Sequence, residues 1–278
     1  MATACIAIGS HYIDLADGRA FVNGIGTLDR DATAAKLLVT SGASSVPALS
    51  SAAVDWLARD LARVDRIDIG ISPGNRTERG LATVQSILSY CGAALPSSGA
   101  RRTFGWTGSR RHLYPAPVGP RLLSHCDVPD LTLLPARYAG SPMVSFGAGL
   151  ELPLIHRAMN AMALLRRIGL VRDWAAHARV LHRMADWLKP FGSDAGAMHV
   201  SVVGTSFDGA GVARTWHLVA TDGDGPYVPT LASAALVRKL QCDDTAWIGA
   251  RPCVGLLSLP DFQRESTGLN IEMSETRA

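Results

Sequence analysis

The sequence predicts an α/β protein, with strand-helix steps of a doubly wound sheet in its first sixty residues and a mixed α/β unit after them. Three observations predict it. Short apolar runs alternate with helix-compatible stretches early on, as buried parallel strands and their crossovers do. Residues 67–71, 198–203 and 212–220 carry strand-like runs of apolar side chains, and Asp208-Gly209 sits between the last two as a hairpin signal. The chain is also apolar enough to build a core, with 47% hydrophobic and 18% charged residues over 278 positions.

Residues 4–8 read as the last turns of a helix closed by Gly9, and residues 11–15 as a strand turned by Asp17-Gly18. Residues 19–36 keep helical spacing through Phe21, Ile25 and Leu28, weakened at Gly24 and Gly26. The run 37–40 predicts a buried strand. A small-residue turn, Ser41-Gly42-Ala43-Ser44-Ser45-Val46-Pro47, leads to a helix reaching about residue 62, with Pro47 in its first turn. Strand, glycine turn and helix start form the ligand-facing edge of doubly wound sheets.

The strand at 67–71 ends in Ser72-Pro73-Gly74-Asn75, and Leu81, Val84, Ile87 and Leu88 mark a helix over 77–90. Residues 101–114 suggest a hairpin around Thr107-Gly108, and the proline-rich stretch 115–120 an irregular segment. A strand at 143–146 leads through Gly147-Ala148-Gly149 into helices at 152–168 and 172–188. A helix opens at Pro229, and the tail carries one short helix near 261–265.

A formal net charge of +3, with lysine only at Lys36, Lys189 and Lys239, argues against a nucleic-acid surface. Five scattered cysteines, Cys5, Cys91, Cys126, Cys242 and Cys253, fit neither a disulfide framework nor a zinc knuckle, which points to the cytoplasm. No apolar run is long enough to cross a membrane, and the start lacks the features of a secretory signal. His177 and His182 are five apart, which does not stack them as a helical metal pair, so no metal is expected. A G-x-S-x-G nucleophile turn is absent. Arg166, Arg167, Trp174 and Trp187 suggest a packed or dimerising surface, and hence a homodimer.

Five segments stand in order along the chain: residues 4–15, the Ser-Gly-Ala-Ser-Ser-Val-Pro-Ala-Leu-Ser run at 41–50, Ile-Ser-Pro-Gly-Asn-Arg at 71–76, Phe-Gly-Ala-Gly-Leu-Glu-Leu-Pro at 146–153 and Gly-Asp-Gly-Pro at 223–226. In these segments, and over nearly its whole length, the chain resembles bacterial saccharopine-dehydrogenase-like oxidoreductases. The resemblance implies NAD(P)-linked hydride transfer on a small-molecule substrate. The fold it implies is the C-terminal part of a Rossmann-like domain (1–62), a mixed α/β substrate or dimerisation domain (63–248), and a tail (249–278) packing back on the Rossmann part. The family's G-x-G-x-x-G turn belongs upstream of the helix at 4–8, so the resemblance further implies a chain without the start of that domain, and weak binding of NADP or NAD. The competing expectation is a non-catalytic fragment or partner-binding module.

On this reading Gly42, Ser44, Ser45 and Pro47 face the cofactor, where backbone N–H groups and the two hydroxyls hold a nicotinamide amide or a substrate carboxylate. The alternative is that the serines cap the following helix. Asp14, which shares a strand face with Tyr12, orients a ribose or a water, or else serves the turn. Asn75 and Arg76 clamp a substrate carboxylate, or Arg76 pairs with Glu78 in solvent. Gly147-Ala148-Gly149 lacks the third glycine of a phosphate fingerprint and reads as a tight turn.

Overall fold

The computed structural model describes residues 1–95, 102–242 and 247–277. Its strands in chain order are β1 (Tyr12–Ile13), β2 (Leu38–Ser41), β3 (Leu61–Ser72), β4 (Ala94–Leu95), β5 (Thr103–Phe104), β6 (Arg110–Leu113), β7 (Pro120–His125), β8 (Met143–Ala148), β9 (Gly196–Ser206), β10 (Gly211–Ala220), β11 (Gly249–Pro252) and β12 (Ile271–Arg277). A three-stranded parallel sheet runs β1-β2-β11, and a seven-stranded mixed sheet runs β12-β10-β9-β3-β8-β7-β6. This is the α/β class the sequence predicts, a Rossmann-like part followed by a mixed α/β unit.

β2 is buried along its whole length, as expected of an apolar run flanked by parallel neighbours. Residues 19–34 are helical but break into two short α-helices joined by a 3-10 turn at Ile25–Leu28, beside Gly24 and Gly26. The helix after the glycine turn, Ser50–Leu57, stops short of residue 62 because β3 already begins at Leu61. The first half of β3 pairs with the long strand β9 through two register shifts, which leave its residues without the alternation that announces a strand.

The hairpin expected around Thr107-Gly108 does not form. β5 instead pairs with β4, and β6 turns back on β7 through the proline-rich loop. Residue 101, the first of that expected hairpin, lies outside the described residues. The tail holds the helix Leu259–Glu265 but also two strands, β11 beside β2 and β12 on the edge of the large sheet. Between Met198 and Val202 the core side chains alternate with polar ones. Met198, Val200 and Val202, with Ile67, Ile69, Trp216 and Leu218, face the core shared with the helices Ser50–Leu57, Leu231–Gln241 and Leu259–Glu265. Among the described residues no helix is long and apolar enough to cross a membrane.

Candidate functional site

The predicted turn lies at the carboxyl end of β2, where Asp14, one residue past β1, organises it. Asp14 Oδ1 accepts hydrogen bonds from Ala16 N (2.9 Å), Ser41 Oγ (2.8 Å) and Gly42 N (3.1 Å), and its backbone carbonyl accepts from Ala43 N (2.8 Å). Asp14 Oδ2 is buried without a hydrogen-bond partner, and a buried unpaired acceptor is costly. Gly42 turns the chain at φ +83°, and a Cβ there would come within 2.6 Å of Pro47 Cδ, so only glycine fits. Val46 is the last residue with extended backbone, which leaves Pro47 to open the helical stretch. Ser44 is buried and makes no side-chain cap, while Ser45 is half-buried. Burial, then hydrogen bonding to the Asp14 carboxylate and its charge, push the Tyr12 hydroxyl up to about 12, so Tyr12 stands beside that carboxylate although no partner meets Oδ2 at full hydrogen-bond geometry.

A dinucleotide needs an acceptor for a ribose hydroxyl or carboxamide N–H, and Asp14 Oδ2 is an acceptor of that kind, closed to solvent with Tyr12 beside it. It also needs free N–H groups for its pyrophosphate, and Gly147-Ala148-Gly149 does not supply them. Gly147 and Ala148 lie within β8, and Gly149 N donates to Ile71 O (2.8 Å). Their missing side chains instead make room, since Cβ atoms at Gly147 and Gly149 would meet Arg110 Nη1 at 2.9 Å and Leu122 O at 2.4 Å.

Asn75 and Arg76 follow β3. Asn75 is buried, donates from Nδ2 to Leu188 O (2.7 Å) and from its backbone N to Glu151 Oε2 (2.6 Å). Arg76 is exposed and tied down through its backbone N to Ser193 O (2.9 Å). The turn at 41–47 and this segment stand at the carboxyl ends of strands in different sheets, and among the described residues no hydrogen bond joins them.

A cluster missed from the sequence occupies the face of the large sheet opposite the core. His199 Nδ1 lies 3.0 Å from Tyr114 Oη and its Nε2 3.3 Å from Asp68 Oδ2. His112 stacks on His199 with ring centroids 3.6 Å apart, and its Nε2 is 3.3 Å from His217 Nε2. Burial drives His112 down to about 3 and His217 to about 4, with the neighbouring histidines adding to it. His112 and His217 are thus neutral near pH 7, and burial lowers His199 as well against the opposing pull of Asp68. Burial opposes ionisation of Asp68, but bonds from His199 and Ser145 and the Arg110 charge outweigh it and hold the carboxyl down at about 2. Among the described residues no group of three or more His, Cys, Asp or Glu is placed to hold a metal. The signal for this cluster lay in the predicted hairpin, because its turn sets His199 directly opposite His217.

Of the residues read as a packed or dimerising surface, Trp174 donates to Met162 O (2.8 Å) and Arg166 to Cys91 O (3.2 Å), so both pack, whereas Trp187 is exposed.

No family profile matches the chain, and no curated protein matches it. Among solved structures it is similar to apo histidine-tagged saccharopine dehydrogenase (L-Glu forming) from Saccharomyces cerevisiae, with a TM-score of 0.64 and 9% sequence identity over 99% of this chain and 81% of that one. The fold is saccharopine-dehydrogenase-like. At that identity the likeness speaks for the scaffold and not for a pocket, since one fold hosts many functions. Within the saccharopine-dehydrogenase-like fold, the Asp14 turn lies at the carboxyl edge of the parallel strands, where open α/β sheets hold their ligands.

Proposed function

We propose that the chain is an NAD(P)-linked oxidoreductase acting on a small molecule. The observation that supports this reading is the buried, unpartnered Oδ2 of Asp14 at the carboxyl edge of β1 and β2, on a saccharopine-dehydrogenase-like fold. A bound nicotinamide supplies or accepts hydride; the chain's own residues supply position. Asp14 Oδ2 accepts a hydrogen bond from a ribose hydroxyl or carboxamide, and Ser44 and Ser45, beyond Gly42 and before Pro47, offer hydroxyls to the same group. Asn75, fixed by Leu188 O and Glu151, presents the exposed Arg76 to a substrate carboxylate. In this reading residues 1–62 with the strand β11 form the dinucleotide part, residues 63–248 the substrate part, and the working form is a cytoplasmic homodimer.

A second reading, a non-catalytic partner-binding module, is favoured by the lack of a pyrophosphate turn among the described residues. Fluorescence titration of the purified chain with NADPH and NADH separates the two. The oxidoreductase reading expects saturable binding that Asp14→Asn, which turns the free acceptor into a donor, weakens about tenfold, the effect of roughly 1.4 kcal/mol. No binding of either nucleotide removes it and leaves the module. Ser45→Ala and Arg76→Ala test the two flanks, Ser45 on nucleotide and Arg76 on substrate affinity.

A further inference from the structure

A cavity lined by mostly apolar side chains lies away from Asp14. It holds about 350 Å³ and lies at the carboxyl ends of the parallel pair β3 and β8, among the helices Leu81–Ser89, Pro153–Arg167 and Ala178–Asp186. That volume falls in the range of small-molecule sites. Its walls are apolar, with Ile87, Met159, Met162 and Met184 among them, and thioether side chains adapt to an irregular apolar guest. Trp106, 1% exposed, lines it too, and its indole N–H has no hydrogen-bond partner. Leu154 and Met184 both line the cavity and are exposed, which marks the mouth.

The polar lining is grouped in Asn75, Thr77, Arg79, His182, Asp186 and Lys189. Asn75 is taken by Leu188 O, and Asp186 is paired with Lys189 (2.9 Å) and His182 (3.3 Å). His182 Nε2 holds the backbone carbonyl of Arg79 at 2.8 Å. The Arg79 guanidinium itself has only a 3.3 Å bond to Gly74 O and no ion pair within 4.0 Å among the described residues. The two carboxylates whose charge reaches it are Asp186, already paired, and Glu151, which is occupied by Asn75 N, Ser193 and Arg121. A planar fork of donors left unpaired and partly desolvated is built for a carboxylate.

We propose that this cavity binds an amphipathic carboxylate, an unbranched acyl chain lying against the methionines with its head group on Arg79. This site stands whether or not the dinucleotide reading does.

The test is calorimetric titration of the full chain with dodecanoate below its micelle concentration, alongside dodecan-1-ol and dodecyltrimethylammonium. One dodecanoate is expected to bind per chain, at least tenfold more tightly than the cation. Arg79→Gln should lose about tenfold in affinity for dodecanoate and leave dodecan-1-ol unchanged, a split that a misfolded variant would not give. Ala158→Trp, which fills the cavity from its exposed rim, should abolish binding of both while keeping the wild-type melting temperature. The proposal is overturned by absent or non-saturable dodecanoate binding, by equal affinity for anion and cation, or by binding indifferent to Ala158→Trp.

Discussion

Gly70 lies directly across the β3–β9 pair from His199, and a Cβ on Gly70 would sit 2.3 Å from His199 Cε1 and 2.7 Å from Leu123 Cδ1. The imidazole therefore lies flat over the strand in the space a side chain would fill, which places it between Asp68 and Tyr114.

Gly70→Ala should for that reason destabilise the protein by about 1–3 kcal/mol, the usual cost of overpacking a full site. Chemical denaturation measures it. A variant as stable as the parent would mean that His199 can move without loss.

Acid should destabilise the fold from near neutrality downward. Burial pushes His112 down to about 3 and His156 and His217 to about 4, and it lowers His199 as well. These rings stay neutral in the fold but take up protons when unfolded, so stability falls as the pH drops from about 6.5 towards 4. Asp130 acts oppositely. Its burial raises it to about 6, and its contribution is lost as the pH rises through that value. The three histidines held at about 3 or 4 outweigh it. Urea midpoints between pH 7 and 4.5 should decline, and His217→Gln should flatten the slope by up to about 1.4 kcal/mol per pH unit. A slope unchanged by that substitution would sink the assignment.

Local signals carried the sequence reading where elements are local. The β9–β10 hairpin, the buried β2 and the first middle helix are each written in a contiguous pattern, and each forms, whereas the second middle helix is shorter than expected, a 3-10 turn at Ala175–His177 followed by an α-helix at Ala178–Asp186. What stayed hidden depends on partners far away in the chain. β11 is a strand because β2 lies beside it, and β12 because β10 does. Thr107-Gly108 has turn composition, yet Trp106 N and Thr107 O bond to His125, which sends the chain past the expected hairpin. The site divides the same way. The glycine turn and Asp14 stand out in the sequence, whereas the His112, His199 and His217 cluster needs β6, four places from β9 in the sheet order, to set His112 on the paired strands β9 and β10, and Arg79 gains meaning only from three helices around it.

The cap of the tail helix offers a small, clean check. Ser258 N donates to Asp261 Oδ2 (2.8 Å) while the Ser258 side chain accepts from the Asp261 backbone N–H, a reciprocal capping box, and Ser258 Oγ lies 2.7 Å from the same carboxylate oxygen. Ser258→Ala should cost about 1 kcal/mol in thermal or urea unfolding. No loss would mean that packing of Leu259 and Phe262 alone fixes the helix.

Glu151 is the carboxylate on which three distant segments converge. Oε2 accepts from Asn75 N (2.6 Å) and Ser193 N (2.9 Å), and Oε1 accepts from Ser193 Oγ (2.7 Å) and Arg121 (3.3 Å). Its side chain is 13% exposed and that of Arg121 10%. Burial opposes its ionisation, but the bonds from Ser193 and Asn75 and the Arg121 charge prevail and hold it below the usual carboxylate range. Glu151→Gln keeps the shape and one accepting oxygen for the backbone N–H groups, yet it leaves Arg121 facing an uncharged amide. The loss should be about 1.5–3 kcal/mol at pH 7, the usual worth of a hydrogen bond to a charged group. A carboxyl held low in the fold stabilises above its unfolded value and ceases to do so as the pH falls through its folded one. The gap between parent and Glu151→Gln should therefore close on acidification below about pH 4.3. Urea unfolding of both proteins at pH 7 and pH 4 reads it directly, and a gap that stays constant or widens in acid would show that the charge on Glu151 is not what ties these segments together.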